Sequence, residues 1–294
     1  MNYFIVSRGV SDGIERASNI LMPLLFVILI AFCVRSLFLP GAKEGLSFLF
    51  HPDFSKIDSG VVLRAMGQAF FSLSLGMGTL ITYASYFSDK TSLPKTAVTV
   101  ASLDTFVAVL AGVIIFPAVF SFGISPSQGP ELIFITLPNV FQQIPGAYIW
   151  SVLFFVLITV AALTSTISLC EVAIAFLHEE FHFTRRRASQ ILIFICLVMS
   201  TLCSLSFGPL SDFYILGFSI FNFCDFLASN ILLPAGGMLI SIFVGWKLDR
   251  QFIKEELSNH GVSRVWYFGI LMFCMRFVAP VAIFLIFLSG LGLF

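Results

Sequence analysis

The chain has 294 residues, of which 58% are hydrophobic and 11% are charged. Soluble domains carry roughly 25% charged residues, so this composition excludes an ordinary soluble protein and indicates a polytopic helical membrane protein. Sixteen basic and sixteen acidic residues cancel, so the net charge gives no indication of a nucleic-acid partner. The six cysteines show neither a CxxC pair nor the His/Cys spacing of a metal site.

Apolar stretches that reach about 20 residues, the length that spans a bilayer, predict an all-α chain with about seven transmembrane helices. In chain order the predicted spans are Arg16–Phe38, Val61–Phe87, Ala97–Ser121, Ala147–Leu177, Ala188–Phe207, Phe213–Trp246 and Val265–Leu293. The sixth span is too long for one straight crossing, so we expect it to tilt or to kink near Pro234. A long loop with several glycines and prolines is expected at Phe122–Gly146.

Basic residues are distributed unevenly among the predicted loops. The loops on one side contain Arg8, Arg16, Lys90, Lys95, Arg185, Arg186, Arg187, Lys247, Arg250, Lys254 and Arg264. On the other side, Phe122–Gly146 and Gly208–Asp212 contain none, and the remaining loop contains Lys43 and Lys56. The positive-inside rule therefore predicts a cytoplasmic N-terminus and an extracytoplasmic C-terminus.

The second predicted span has an unusual centre. Its segment Gly67–Gly78 reads GQAFFSLSLGMG, with two serines and three glycines inside an apolar run. Irregular backbone at membrane depth survives only where protein or a wet cavity satisfies its polar groups. Many secondary transporters use a broken helix of this kind to build a site for an ion and a solute. We therefore expect an interrupted crossing here.

Three acidic residues, Asp104, Glu171 and Asp225, lie within apolar segments. A charge at the bilayer centre costs about 2.5–3.5 kcal/mol on insertion scales, so such residues usually face a bundle interior or a water path. They are candidates for function, and the alternative is a neutral, hydrogen-bonded or interfacial carboxyl. The sequence does not assign a role to Glu171.

A second polar group lies in the fourth predicted span, at Ala161–Thr166. Ala161, Thr164 and Ser165 share one helix face, and together they offer one carbonyl and two hydroxyl oxygens. Three oxygens on one face suit a hard cation such as Na⁺. Serine and threonine also often bond to their own helix or join two helices, and both interpretations stay open at this point.

Several of these segments together resemble the neurotransmitter:sodium symporter family, in its bacterial amino-acid-transporting branch. The matching motifs are GQAFFSLSLGMGTLITYASY at Gly67–Tyr86, LDTFVAVLAG at Leu103–Gly112, ITLPNVF at Ile135–Phe141, ALTSTISL at Ala162–Leu169 and DFLASNILLPAGG at Asp225–Gly237. Gly13 and Pro23 match a further spaced pair. The motifs cover almost the whole chain in family order.

The resemblance implies a fold of two inverted five-helix repeats followed by one or two helices. The first span here resembles family helix 5, the second to sixth resemble helices 6–10, and the seventh resembles helix 11. Asn2–Val10 resembles the end of helix 4. The chain is thus expected to be one transmembrane domain, residues 1–294, that contains the second inverted repeat and lacks family helices 1 to 3 and most of helix 4.

The resemblance also implies two sodium sites. Ser72 and Asp104 match ligands of the first site, and Ala161, Thr164 and Ser165 match ligands of the second. Gln68 matches one residue of the chloride site of chloride-dependent relatives, but Ala108 stands where they have a serine. Since Asp104 replaces the more familiar asparagine, its carboxylate is expected to stand in for chloride, and no chloride requirement is expected.

The implied substrate pocket contains residues of the second and fourth spans. These are Phe71, Ser72, Ser74, Met77, Ser165 and Leu169. Phe71 resembles the aromatic lid over the substrate, and Met77 is a soft wall that suits an apolar side chain. Asp225 resembles an outer-gate acid. Gly13 and Pro23 resemble a pair that lets family helix 5 unwind, since proline removes a helix hydrogen bond and glycine weakens the turn.

The expected function is that of a multi-pass sodium-coupled amino-acid symporter in the bacterial inner membrane, with Na⁺ and a small hydrophobic amino acid as its partners. Enzyme motifs such as HExxH and GxSxG do not occur in the sequence, and no enzyme activity is expected. The second site retains about three of the six or so oxygens that a hard cation prefers. We therefore expect a truncated fragment that is inactive alone. The alternatives are one half of a split transporter with a separately encoded N-terminal half, and a membrane scaffold or channel-like remnant without transport.

Overall fold

Long apolar helices make up most of the structure, a computed structural model that describes residues 1–88, 90–123, 146–259, 261–262 and 264–293. In chain order the helices are α1 (Asn2–Val6), α2 (Val10–Leu37), α3 (Ala42–Phe50), α4 (Ser59–Ser72), α5 (Thr79–Ala84), α6 (Leu93–Ser121), α7 (Ala147–Glu179), α8 (Arg185–Leu205), α9 (Ile220–Lys247), α10 (Arg250–Leu257) and α11 (Phe268–Gly290). A single 3₁₀ turn, Phe54–Lys56, precedes α4. Most of the predicted loop Phe122–Gly146, with the ITLPNVF motif, lies outside the described residues.

Within the described residues, six helices are long and apolar enough to cross a membrane. They are α2, α6, α7, α8, α9 and α11. The remaining predicted crossing, Val61–Phe87, corresponds to α4 and α5, which are separated by a non-helical segment. The all-α, multi-pass fold class predicted from the sequence is confirmed, with one of the seven crossings interrupted.

The predicted start of the sixth span, at Phe213, is wrong. Two short strands, β1 (Tyr214–Ile215) and β2 (Phe218–Ser219), pair in antiparallel register before α9 begins at Ile220. The two residues between them, Leu216 and Gly217, have positive φ angles of 51° and 87°. Positive φ at both turn residues is typical of the tight hairpins that match strand twist. The hairpin explains why the apolar run is longer than one crossing needs.

In the described part of the chain, four helical segments are π turns. Two of them lie inside the long helices α9 and α11, and a third ends α9. The four segments are Val10–Glu15, Phe226–Leu232, Phe243–Lys247 and Cys274–Val278. The second of these ends at Leu232, two residues before Pro234, and the tilt or kink expected near this proline stays a prediction. Single π turns inside α-helices occur frequently at functional sites.

The contacts of the chain divide it into two units. The first unit comprises Met1–Ser55 and Ser102–Ser168, and the second comprises Lys56–Ala101 and Leu169–Phe294. The expectation of a single domain over residues 1–294 stays a prediction.

The first unit has a core formed by α2, α6 and the first part of α7. Its buried side chains are Ile28, Leu29, Phe32, Cys33, Ile114, Ala118 and Phe154. The short helix α3 lies against α6 at very close range, since a Cβ atom on Gly45 would come within 2.4 Å of the backbone nitrogen of Pro117. The backbone N–H of Gly41 also donates to the Ser121 hydroxyl at 2.8 Å.

The second unit has a smaller core in which α4, α9 and α11 meet. Phe70, Leu233 and Ile283 are its buried side chains, and Met77 and Ile286 pack against them. This core lies directly beside the interruption between α4 and α5, so the packing of the second unit positions the candidate site.

Candidate functional site

The interruption between α4 and α5 is the central feature of the site. Asp58 caps the start of α4 by accepting a hydrogen bond from the Val61 N–H at 2.7 Å. The helix ends at Ser72, and α5 starts at Thr79 after a left-handed Gly78. The break predicted from the glycine-rich sequence is therefore present, and it lies inside the predicted second span.

Backbone angles show why this segment cannot continue the helix. Ser74, Gly76 and Gly78 have φ angles of 53°, 91° and 78°, all in the left-handed region. Glycine adopts such angles without steric cost, whereas a serine there is uncommon. Non-glycine residues in sparsely populated backbone regions cluster at active sites and ligand clamps, and Ser74 is such a residue.

The interrupted segment is held against α9 by direct backbone contact. A Cβ atom on Gly76 would lie 2.4 Å from the carbonyl oxygen of Leu233 and 2.9 Å from the backbone nitrogen of Gly237. A Cβ atom on Gly237 would lie 2.5 Å from Cζ of Phe70. The glycines of the PAGG sequence in α9 therefore allow the non-helical segment to pack directly against the backbone of α9.

Two cavities flank the break within the second unit. The larger, of about 500 Å³, has an apolar lining contributed by α4, the break, α5, α9 and α11, and includes Ser74, Gly76 and Ile283. The smaller, of about 240 Å³, is lined by Phe71 together with polar groups that include Arg64 and Asn230. The structure thus places one cavity beside Ser74 and a second beside Phe71.

The predicted substrate residues do not share one environment. Ser74 and Phe71 line different cavities, and Met77 packs against the core of the second unit. Ser72 and Leu169 are exposed. Ser165 belongs to the first unit, so its place in the pocket with Phe71 and Ser74 stays a prediction.

The predicted second sodium site lies on α7, in the first unit. The Thr164 hydroxyl donates to the carbonyl oxygen of Ala161 at 2.9 Å and to that of Val160 at 3.2 Å, so it bonds to its own helix. The hydroxyl oxygen keeps its lone pairs and lies beside the Ala161 carbonyl oxygen. Ser165 is exposed on the same helix. These oxygen donors fit the chemistry of Na⁺, and α7 continues through the motif without a break.

The residues of the first predicted sodium site are divided between the two units. Asp104 is half-buried in α6 in the first unit, whereas Ser72 ends α4 in the second. Gln68, the residue matched to a chloride site, is exposed on α4. The pairing of Ser72 with Asp104 stays a prediction.

All three predicted gating residues lie within helices, and two of them, Gly13 and Asp225, lie in or next to a π turn. Asp225 is exposed at the start of a π turn of α9 and accepts a hydrogen bond from the Ser229 hydroxyl at 3.2 Å. Pro23 lies inside α2, which is continuous around it. Gly13 has a packing role that the sequence did not indicate, because a Cβ atom there would lie 2.0 Å from the carbonyl oxygen of Ile5 in α1.

The sequence left Glu171 without a role, and the structure gives it one. Its side chain is 0% exposed in α7, where it accepts a hydrogen bond from the Tyr86 hydroxyl at 2.8 Å and forms an ion pair with Arg185. Tyr86 follows α5 and Arg185 begins α8. The sequence contained a signal for this pairing, namely an acid within an apolar segment followed by an arginine at the start of the next helix.

An interrupted crossing beside long apolar helices, with hydroxyl and carboxyl groups at membrane depth, defines a class of multi-pass solute transporters. The model of the sodium:neurotransmitter symporter family matches residues 1–294, and the chain belongs to this family. The family is one of sodium-coupled transporters and not an enzyme class.

Individual relatives agree with this assignment. An uncharacterized sodium-dependent transporter of Bacillus subtilis, YhdH, is 38% identical over 293 residues, which are 100% of this chain and 65% of the relative. A sodium-dependent transporter of Haemophilus influenzae is 39% identical over 295 residues, covering 99% of this chain and 63% of the relative. The crystal structure of MhsT in complex with L-phenylalanine is 47% identical, with a TM-score of 0.85 over 98% of this chain and 65% of MhsT.

The chain thus spans a little under two thirds of the length of these relatives. The relatives give no support to a separately encoded N-terminal half. The expectation of a truncated fragment that is inactive alone stays a prediction.

Proposed function

We propose that the protein takes part in the sodium-coupled transport of a hydrophobic amino acid across the membrane. The observation that carries the proposal is the break between Ser72 and Thr79, which interrupts an otherwise membrane-length crossing. An unwound segment exposes backbone groups at membrane depth, where they can bind the charged ends of a zwitterion. Support for the substrate class comes from L-phenylalanine in the MhsT complex.

In this proposal, the ion sites are those that the sequence indicates. Ala161, Thr164 and Ser165 contribute oxygens to one Na⁺, and Ser72 and Asp104 contribute to another. The carboxylate of Asp104 supplies the negative charge that chloride supplies elsewhere, so transport is independent of chloride. Phe71 and Ser74, which line the cavities beside the break, contact the amino acid.

The proposed setting is the bacterial inner membrane, with the N-terminus in the cytoplasm and the C-terminus outside. The support is the charge of the loops. Arg186, Arg187, Lys247 and Arg250 are all exposed at helix ends assigned to one side, and basic residues favour the cytoplasmic side.

The proposal can be tested by ligand-dependent thermal stabilisation of the solubilised chain. L-phenylalanine added in Na⁺ is expected to raise the melting temperature above the value in K⁺, because ligands stabilise the state that they bind. Thr164→Val is expected to abolish the Na⁺-specific part of the shift. Thr159→Val is the matched control, since the Thr159 hydroxyl bonds to its own helix in the same way, at 2.7 Å from the Phe155 carbonyl. Equal shifts in Na⁺ and K⁺ would contradict the proposal and favour a scaffold.

A second measurement separates binding from transport. Uptake of labelled L-phenylalanine into vesicles that contain only this chain tests the expectation that the chain is inactive alone. Sodium-dependent uptake would overturn that expectation and support the transport proposal. Replacing chloride by gluconate is expected to leave any sodium-dependent signal unchanged, and a steep loss would contradict the role proposed for Asp104.

A further inference from the structure

A group of basic and aromatic residues that the transport site does not use lies where the end of α9 meets α11, on the side that the orientation proposed above assigns to the cytoplasm. Here the π turn Phe243–Lys247 of α9 lies against the π turn Cys274–Val278 of α11. Arg276 stands in the second of these turns, within a helix that is long and apolar enough to cross the membrane. A cation in such a helix is costly unless it reaches a partner or the interface.

The position of Arg276 along the membrane follows from its contacts. It lies eight residues after the start of α11, or about 12 Å at the helical rise per residue. Its Nε donates to the carbonyl oxygen of Gly245, and its guanidinium lies 5.7 Å from the centre of the Trp246 ring. Both partners belong to the last turn of α9, which ends at Lys247. The guanidinium is therefore level with the end of a membrane-spanning helix.

The same contacts fix the orientation of the guanidinium. The Trp246 Nε1–H donates back to the Arg276 carbonyl oxygen at 3.3 Å, so the two residues hold each other. Within the part of the chain that the structure describes, neither terminal nitrogen of Arg276 has a hydrogen-bond partner, and neither is buried. These terminal nitrogens, with their four N–H groups, are thus held at the surface of the helix pair and are available to an acceptor.

The surroundings of Arg276 match a phospholipid at the membrane interface. Lys247, the next residue after Trp246, is exposed and brings a second positive charge. Trp246 is 56% exposed, and tryptophan is enriched at the level of the lipid headgroups. Phe277 packs against Trp246, and its ring lies 5.4 Å from the tilted ring of Phe273. Both phenylalanines are exposed and present an apolar surface to acyl chains.

We propose that Arg276, Lys247 and Trp246 form a binding site for the phosphate group of an anionic phospholipid, such as phosphatidylglycerol. Guanidinium groups bind phosphate oxygens through paired N–H donors, and basic pockets between transmembrane helices on the cytoplasmic side bind anionic headgroups. The nearest acid in sequence, Asp249, accepts a hydrogen bond from the Gln251 N–H as a helix cap, and among the described residues it forms no ion pair with Lys247 or Arg276. This inference is independent of the transported solute.

Quenching of Trp246 fluorescence by brominated lipids tests the site directly. Trp150→Phe and Trp266→Phe leave Trp246 as the one tryptophan. This variant is reconstituted in phosphatidylcholine vesicles. Brominated phosphatidylglycerol is expected to quench more strongly than the same fraction of brominated phosphatidylcholine. Lys247→Gln, which loses no hydrogen bond seen in the structure, is expected to lower the preference about fivefold, the usual effect of one basic residue near a membrane surface. Lys254→Gln, in the neighbouring helix α10, is the matched control and is expected to leave the preference unchanged.

The outcomes distinguish a lipid site from a purely structural contact. Equal quenching by the two lipids, or an unchanged preference in Lys247→Gln, would overturn the proposal. A purely structural Arg276 would give a different result. Arg276→Lys would then lower stability, and neither the parent chain nor its variants would be quenched more strongly by phosphatidylglycerol than by phosphatidylcholine. That result would also overturn the proposal. Native mass spectrometry of the unsubstituted chain with the same two lipids provides a check that does not depend on the tryptophan substitutions.

Discussion

Two crossings of the molecule respond differently to helix-breaking residues. One is formed by α4 and α5, and the other by α9. Both contain glycines at mid-span, and α9 contains a proline as well. The first is interrupted over six residues, between Ser72 and Thr79, with left-handed backbone at Gly76. The second continues from Ile220 to Lys247 through Pro234 and the two glycines that follow it.

The difference teaches that helix-breaking residues permit a break but do not impose one. In α9 the π turn Phe226–Leu232 ends two residues before Pro234, so the helix is already irregular where the proline removes a hydrogen bond. Gly236 and Gly237 of α9 allow the first crossing to approach closely, because Gly236 faces the carbonyl oxygen of Gly76 and Gly237 faces the ring of Phe70. The glycines of one crossing thus allow the other to unwind against it.

The largest effect is expected for Gly76→Ala, which attacks the contact between the two crossings. An alanine here would have to keep the positive φ of Gly76, and its Cβ would lie 2.4 Å from the Leu233 carbonyl oxygen. Backbone strain and overpacking together are expected to lower the free energy of unfolding by about 4 kcal/mol. Chemical unfolding in mixed micelles measures it. Gly269→Ala, where nothing lies within 4 Å, is the control and is expected not to destabilise; similar losses for both would refute the contact.

A somewhat smaller effect is expected for Glu171→Gln, which tests how the short helix α5 is anchored. The substitution removes the buried carboxylate that pairs with Arg185, and breaking a buried ion pair costs about 3 kcal/mol. The double substitution Glu171→Gln/Arg185→Gln is expected to recover part of this loss, as measured in a double-mutant cycle of unfolding free energies. Simple additivity of the two substitutions would show that the pair is not coupled.

Gly237→Ala tests the α9 side of the same contact. Its Cβ would lie 2.5 Å from Cζ of Phe70, and this neighbour is the end of a side chain that can move, so we expect a loss of about 2 kcal/mol. Phe70→Leu in the same chain should relieve part of the overlap and give a favourable coupling energy. If the second substitution only adds its own loss, the ring is not the obstacle.

The smallest effect is expected for Ser241→Ala, in the part of α9 that contacts α11. The Ser241 hydroxyl donates to the Met275 carbonyl oxygen at 2.9 Å, so its removal costs about 1 kcal/mol. Ser200→Ala is the control, because the Ser200 hydroxyl bonds only within its exposed helix, at 3.1 Å from Leu197. A thermal melt that separates the two variants supports a bond between the helices, and indistinguishable melts would argue against it.

Much of the fold could be predicted because hydropathy and spacing act locally. The lengths of the apolar runs predicted the crossings, and Gly76 and Gly78 predicted the break. The hairpin Tyr214–Ser219 was missed because its residues are as apolar as those of a helix, and only the turn angles at Leu216 and Gly217 distinguish it. The packing of Gly13 against Ile5 was missed because the approach of two backbones leaves no signature beyond a glycine.

For the site, the sequence indicated which residue types occur at membrane depth but not how they are paired. Thr164 was a candidate for Na⁺, and the structure adds its bond to the Ala161 carbonyl. Only the packed helices bring Tyr86 and Arg185 to Glu171, and Gly245 to Arg276.

The sequence by itself determined that this protein lies in a membrane and where one crossing is weak, because these properties depend on the transfer of each segment from water to lipid and on local backbone freedom. The tertiary structure alone decided which glycines break a helix and which let helices touch, and which charges find partners. These outcomes depend on atoms that are distant in sequence and meet only when the helices pack.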